Sequence, residues 1–189
     1  MSALNSILIL IAALLAVFWE AAFNGIRHVL GAQLDLLPGL IVYAGLRAGL
    51  PTVALTALLG GMMLDSLSAN PLGVSVLPLF VVGIAVYSQR ELILRDQLFA
   101  QMILGLAASA IVPLLTILLL LTKSGTPLLG WASVWQWIVM SVGGAVATPV
   151  WFYIFGLFDR AFSYRRASES SSFRPDREIR RGRKRWQHQ

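Results

Sequence analysis

Four stretches of the chain carry at most one charged residue, and each approaches the length needed to cross a lipid bilayer. They run from Leu4 to Phe23, from Pro71 to Tyr87, from Leu98 to Leu121 and from Trp135 to Phe158. A transmembrane helix needs about 20 mostly apolar residues, because the hydrocarbon core is about 30 Å thick. The sequence therefore predicts an all-α, polytopic membrane protein and disfavours a soluble enzyme.

A fifth apolar stretch, from Leu36 to Leu64, is longer than one crossing requires. At 1.5 Å per residue it would form a helix of roughly 43 Å. Arg47 and Pro51 lie inside it, and both are costly in the middle of a membrane helix. We therefore predict two shorter helices joined near Arg47 and Gly49, which brings the count to six transmembrane helices, some of them short. Five spans with one long tilted helix is the alternative.

Positive charge is concentrated at the C-terminal end of the chain. Residues 1–159 hold five Lys or Arg and six Asp or Glu, whereas residues 160–189 hold ten basic and three acidic residues, a net charge of +7. We predict a transmembrane domain over residues 1–162 and a basic, disordered tail over residues 163–189. The tail either binds anionic lipid or is a solvated determinant of topology. The near-neutral body gives no reason to expect a nucleic-acid partner.

The same charge bias predicts the orientation of the chain. Basic residues favour the cytoplasmic side of a membrane, which places the tail and the Arg90–Arg95 loop there. Six spans then put both termini in the cytoplasm of a multi-pass protein. The apolar run from Ile7 to Phe18 lacks a preceding Lys or Arg and a clear cleavage site, so we expect a retained anchor instead of a signal peptide.

Residue types that carry common catalytic chemistry are scarce. The chain has no cysteine, and its two histidines, His28 and His188, lie far apart without a second metal ligand at suitable spacing. No phosphate-binding glycine loop or Ser-His-Asp arrangement is apparent. We therefore expect no enzymatic activity, no metal and no cofactor.

The segment from Gly60 to Gly73 is the most informative part of the sequence. Asn70 could cap a following helix and Pro71 fits the first position of that helix. Asp65 lies close in sequence to the positive end of the same helix, where a carboxylate is stabilising by about 0.3–1 kcal/mol. Asp65 is therefore either a local cap for a tight turn or a polar contact to a partner at the outer face.

This segment resembles the signature of the bacterial rod shape-determining MreD family, in which a glycine-containing helix leads into a Leu-Asp-x-x-Ser turn and a Leu-Gly pair. Weaker similarity extends over Leu36 to Phe162 through Pro38, Tyr43 and Pro149-Val150-Trp151, with a basic end at Arg160. The specific matches are Gly60, Gly61, Leu64, Asp65, Ser68, Leu72 and Gly73.

The resemblance implies a non-catalytic scaffold of the cell-wall elongation complex in the bacterial inner membrane. Its expected partners are MreC, RodA with its penicillin-binding transpeptidase, and the filament MreB. The implied fold is similar to the substrate-binding subunits of energy-coupling-factor transporters, so a vitamin-type solute-binding subunit is the alternative function. Asp65, Pro71 and Gly73 are the first candidate contact residues, and Arg47 is the second.

Two further features have both structural and functional interpretations. Glu20 lies inside the first apolar stretch, where an acid is a functional candidate unless it reaches the interface. Small residues such as Gly45, Gly105 and Gly144 permit close helix packing. Their contacts serve either the bundle itself or the docking of MreC's membrane helix.

Overall fold

The computed structural model describes residues 3–22, 31–68, 71–91, 97–122 and 130–171. Regular structure in these ranges is entirely helical. The chain divides into two compact units, Met1–Phe152 and Tyr153–Gln189. The helices within the described ranges are α1 Ala3–Ala22, α2 Leu37–Arg47, α3 Leu50–Leu67, α4 Val76–Ser88, α5 Leu98–Thr122 and α6 Trp131–Ser171.

Four of these helices are long and apolar enough to cross a bilayer: α1, α3, α5 and the first 31 residues of α6. The prediction of a helical membrane protein is confirmed at this level. Helices α2 and α4 are apolar but have only 11 and 13 residues. At 1.5 Å per residue they are about 16 and 20 Å long, well short of the hydrocarbon core.

The long apolar stretch divides into two helices where the sequence predicts it. Helix α2 ends at Arg47, Ala48 and Gly49 adopt extended backbone, and α3 begins at Leu50 with Pro51 in its first turn. Proline is tolerated there because the first backbone N–H groups of a helix have no intrahelical acceptor. The break therefore removes the conflict between proline and a continuous helix.

Helix α2 is the centre of the larger unit. It packs against α1, α3, α4 and α5, and every residue from Leu37 to Leu46 is buried. The ring of Tyr43 meets the ring of Phe152 edge to face, with centroids 5.0 Å apart. Because other helices enclose it, α2 does not need the length that contact with lipid on both sides would demand.

Glycines allow the helices around α2 to approach closely. A Cβ atom at Gly83 of α4 would overlap Val53 of α3, and one at Gly45 of α2 would lie 3.0 Å from Val86. At the crossing of α5 and α6, Gly105 faces Gly144 so closely that a Cβ at Gly144 would overlap Ser109. The small residues Gly45, Gly105 and Gly144 thus pack inside the bundle.

The last helix is longer than predicted at both ends. The sequence predicts a span from Trp135 to Phe158, whereas α6 begins at Trp131 and continues to Ser171. The helix therefore passes the predicted domain boundary at residue 162, and residues 163–171 of the predicted disordered tail are helical. Residues 172–189, most of the predicted tail, lie outside the described part of the chain.

Replacing Gly144 by alanine should destabilise the bundle. The added methyl group would overlap Ser109 and lie 2.9 Å from the Gly105 carbonyl oxygen, so α5 and α6 would have to separate. Overpacking of this kind costs about 1–3 kcal/mol, and the thermal unfolding temperature of the purified protein in detergent should fall. The matched control is Gly156→Ala in the same helix, where a Cβ meets nothing within 4 Å. Equal unfolding temperatures for the two variants would contradict this packing.

Candidate functional site

Asp65 lies in the last turn of α3 and its side chain is almost completely buried, with 1% exposure. One carboxylate oxygen, Oδ2, accepts a hydrogen bond from the backbone N–H of Gly73 at 2.8 Å. The Ser75 N–H donates to both oxygens, at 3.1 Å to Oδ2 and 3.3 Å to Oδ1. The carboxylate therefore fixes the turn of residues 71–75 against the end of α3.

The same bonds provide the start of α4 with a negative charge. Ser75 is the N-cap residue of α4, but its own side chain makes no capping hydrogen bond. Free N–H groups and the helix dipole make the beginning of a helix electropositive. Asp65 meets that end from another helix, which confirms the local capping role that the sequence left as one of two interpretations.

The predicted start of this helix is wrong. The sequence places Pro71 at the first helical position, whereas α4 begins at Val76 and residues 72–75 form turns. The physical reason is the backbone of Gly73, which has φ +90° and cannot belong to a right-handed helix. The predicted cap Asn70 lies outside the described residues.

Three of the four candidate contact residues lie in or beside this turn. Pro71 and Leu72 are exposed, Leu72 at 66%, while Asp65 is buried beneath the turn. Arg47 is half-buried in the last turn of α2, three residues before α3 begins. Since Leu50 and Asp65 are separated by about 22 Å along α3 at 1.5 Å per residue, Arg47 belongs to the opposite end of that helix.

The two glycines before Asp65 set the position of α3 relative to its neighbours. A Cβ atom at Gly60 would lie 2.8 Å from the side chain of Leu37, at the beginning of α2. A Cβ at Gly61 would lie 2.9 Å from the backbone of Val76, at the beginning of α4. These contacts explain why a glycine pair precedes the aspartate: α3 must pass close to both helix starts for Asp65 to reach Ser75.

A second carboxylate site, made of two carboxyl groups, lies at the beginning of α2. Glu20 from α1 accepts a hydrogen bond from the Leu36 N–H, and Asp35 accepts one from the Leu37 N–H at 3.0 Å. Asp35 is buried with 7% exposure. The two acids are close enough to interact electrostatically. Each supplies an acceptor for a backbone donor that the start of a helix leaves unsatisfied.

Neutral side chains of α6 hold the non-helical segment before α2. Gln136 accepts from the Gln33 N–H at 3.0 Å and donates to the Gln33 carbonyl oxygen at 2.9 Å. Further along α6, the Trp151 indole N–H donates to the Leu36 carbonyl oxygen at 3.2 Å. A segment outside helices can exist at membrane depth only when such partners satisfy its backbone.

Sequence reasoning singled out Glu20 but not Asp35. In the structure, Glu20 accepts a hydrogen bond from a backbone N–H of the chain itself. This bond supports neither of the two interpretations of Glu20, a contact at the membrane interface or a functional site. For Asp35 one local signal was present: an aspartate accepting from the N–H two residues later is a common turn. Its proximity to Glu20 depends on the packing of α1 against α2 and has no counterpart in residue spacing.

Both carboxylate sites, Asp65 and the pair of Glu20 and Asp35, are suited to positioning helices and presenting surfaces. In Asp65 the oxygens are engaged by backbone N–H groups, and in the second cluster each acid has a backbone donor. Within the described ranges, no group of three or more His, Cys, Asp or Glu side chains could hold a metal ion.

Replacing Asp65 by alanine should release the turn of residues 71–75. The Gly73 and Ser75 amides would lose a buried acceptor, which costs about 1–3 kcal/mol of unfolding free energy. Hydrogen exchange measured by mass spectrometry should become faster in this turn, and Asp65→Asn should have a smaller effect because it keeps one acceptor oxygen. Ser66→Ala, at the exposed neighbouring position, is the control. Unchanged exchange in Asp65→Ala would refute the capping role.

Glu20→Gln and Glu20→Ala should separate the two contributions of that side chain. Glutamine keeps an oxygen for the Leu36 N–H and replaces the ionisable carboxyl group beside Asp35 by a neutral amide, so we expect stability equal to or above the native protein. Alanine removes the acceptor and should lower the unfolding free energy by about 1–3 kcal/mol. Thermal unfolding in detergent measures both. A glutamine variant as unstable as the alanine variant would show that the carboxyl group itself is required.

Comparisons with known proteins identify no relative that could suggest a function. The chain matches no protein-family model, no curated protein and no solved structure.

Proposed function

We propose that this chain is a non-catalytic integral membrane scaffold of the bacterial cell-wall elongation complex, of the MreD type. In this proposal it lies in the inner membrane and helps to maintain rod shape by contacting MreC, RodA and the penicillin-binding transpeptidase. MreB is a further candidate partner on the cytoplasmic side. The chain would need no cofactor, because its role is to hold other proteins in register.

The observation that carries the proposal is the physical unity of the Gly60–Gly73 segment. Gly60 and Gly61 let α3 approach α2 and α4. Asp65 then binds the turn at Gly73, whose φ of +90° favours glycine. Four of the seven residues on which the MreD resemblance depends thus share one structural task, which supports treating their spacing as a motif instead of a coincidence of composition.

The arrangement of helices supports six crossings with both termini in the cytoplasm. The separate helices α2 and α3 favour six spans over five, since the break at Ala48 and Gly49 removes the long tilted helix of the alternative. Short α2 and α4 are compatible with a six-helix fold similar to the substrate-binding subunits of energy-coupling-factor transporters. In this orientation the turn of residues 71–75 is at the outer face.

The proposed contact surface is the exposed part of that turn. Pro71 and Leu72 are accessible while Asp65 fixes the backbone beneath them. A turn held in one conformation loses little entropy when a partner binds, which favours recognition. Arg47, near the other end of α3, is the second proposed contact, toward the cytoplasmic partners.

A vitamin-type solute-binding subunit is the second candidate, and one observation favours it. Asp35 is buried and Glu20 is half-buried beside it, which gives two carboxyl groups that could recognise a polar ligand. Against this candidate, both groups already accept backbone hydrogen bonds. The scaffold is the better supported of the two functions.

Affinity capture of the full-length chain from detergent-solubilised bacterial membranes distinguishes the two functions. Under the scaffold proposal, MreC expressed with the chain should copurify in stoichiometric amounts. Copurification of a pair of ATPase subunits without MreC would favour the transporter and overturn the scaffold. Capture of neither would also count against it.

Two variants test whether the turn is the contact surface. Leu72→Ser should reduce MreC capture about tenfold, the effect of losing roughly 1.4 kcal/mol, without changing the unfolding temperature. Leu77→Ser, at a similarly exposed leucine of α4, should leave capture unchanged. In rod-shaped cells that depend on this chain, Asp65→Ala should alter cell width. Normal capture by Leu72→Ser together with normal width in Asp65→Ala would remove the turn from the proposed interface.

A further inference from the structure

The beginning of α2 receives side-chain oxygens on two consecutive backbone amides. Glu20 from α1 accepts a hydrogen bond from the Leu36 N–H, and Asp35 accepts one from the Leu37 N–H at 3.0 Å. The nitrogens of consecutive residues lie within about 4 Å of each other. The backbone therefore holds the two carboxyl groups close together, and they interact electrostatically. We call Glu20 and Asp35 the acid pair.

Few ionisable side chains belong to the described helices around the acid pair, and none of them is a cation at the same end of α2. Within α1, α5 and residues 131–152 of α6 there is none besides Glu20 itself. Arg47 lies ten residues beyond Leu37, about 15 Å away along α2, and the carboxylate of Asp65 is occupied by two backbone amides. Arg27 and His28 lie outside the described residues. The ionisable side chains of α2, α3 and α4 are Tyr43, Arg47, Asp65 and Tyr87.

Two ionised carboxylates at this position would repel each other with little water to screen them. Asp35 has 7% exposure, Glu20 is half-buried beside it, and each accepts from a backbone N–H. Like charges so close together favour the binding of one proton. A protonated carboxyl group keeps an oxygen that can accept a hydrogen bond. One proton therefore removes the repulsion without the loss of either backbone bond.

We propose that the acid pair holds one proton at neutral pH, and that loss of this proton releases α1 from the beginning of α2. The repulsion acts mainly on Glu20, because Asp35 is fixed by a bond within its own turn whereas Glu20 reaches across from another helix. The acid pair is then a proton-controlled latch between α1 and the central helix. The latch is independent of the proposed scaffold function and holds even if MreC is not a partner.

Leu36 connects this latch to α6. Its N–H donates to Glu20, and its carbonyl oxygen accepts from the Trp151 indole N–H at 3.2 Å. Release of Glu20 would leave the Leu36 N–H without this acceptor at the start of an enclosed helix, where an unsatisfied backbone group is costly. The backbone at Leu36 would then have to shift. Because the Trp151 indole bonds to the same residue, its fluorescence should report that shift.

Unfolding of the full-length protein in detergent, measured from about pH 5 to about pH 9, tests for the bound proton. Carboxyl groups of the unfolded chain ionise near about pH 4, whereas the native pair would keep its proton to a higher pH. The native state then binds more protons, so the unfolding free energy falls as pH rises. We expect the unfolding equilibrium constant to increase by up to about tenfold per pH unit until the pair has lost its proton. The infrared absorption of a protonated carboxyl group should be present at neutral pH and disappear over the same range.

The double variant Glu20→Gln with Asp35→Asn is the matched test, since it keeps an oxygen for each amide and cannot titrate. It should lack the infrared absorption and most of the pH dependence of unfolding. Its Trp151 fluorescence, taken as the difference from a Trp151→Phe variant, should no longer respond to pH. Glu20→Gln alone leaves one titratable group and should move the response toward the pH of an isolated carboxyl group, so the test stands even if the double variant does not fold.

Other outcomes would overturn the proposal. A pair with a purely structural role would change the unfolding temperature of the double variant without altering its pH dependence. Absence of a protonated carboxyl absorption from the native protein at neutral pH would show that both acids are ionised. His28→Gln should behave as the native protein does, and loss of the pH dependence in that variant would assign the response to the histidine instead.

Discussion

The burial of helix α2 is the constraint on which the rest of this structure depends. The 11 residues of α2 are about 16 Å long, less than the hydrocarbon core of about 30 Å, so backbone groups at its ends have to find hydrogen-bond partners inside the protein. All of its residues from Leu37 to Leu46 are buried against neighbouring helices. Its beginning requires acceptors for backbone N–H groups that have no intrahelical partner, and Glu20 and Asp35 supply them. The two carboxyl groups at this position are thus explained by the start of one short helix that is enclosed by others.

The other short helix, α4, is started by the same means. Its first turn lacks a side-chain cap of its own, and Asp65 provides the acceptor from α3. In both cases a carboxyl group from a neighbouring helix supplies an acceptor at the helix start, Glu20 beside the local Asp35 at α2 and Asp65 at α4. This arrangement joins helix starts to other helices. A change in Glu20 or Asp65 would therefore affect the position of an entire helix as well as a single hydrogen bond.

These structural roles bear on the proposed scaffold function. The acid Asp65 is buried, so its contribution to a partner would be indirect: it determines the shape in which Pro71 and Leu72 are presented. The residues that would contact a partner are then different from the acids. The hydrogen bonds of these acids to backbone N–H groups explain their presence without a substrate. The basic C-terminal region has a different basis, because its charge is concentrated beyond the apolar part of α6 and is suited to a surface outside the hydrocarbon core.

The amino-acid sequence by itself determined the membrane environment, the helical class and most helix positions. The lengths of the apolar stretches and the positions of Arg47 and Pro51 are local properties of the chain. It also identified the Asp65 segment, since a carboxylate near a helix start has a local electrostatic meaning. Tertiary structure decided what residue spacing cannot express: that α2 is central, that Glu20 meets Asp35, and that α4 starts at Val76 after the left-handed Gly73. These depend on which helices pack together, and packing is a property of the whole bundle.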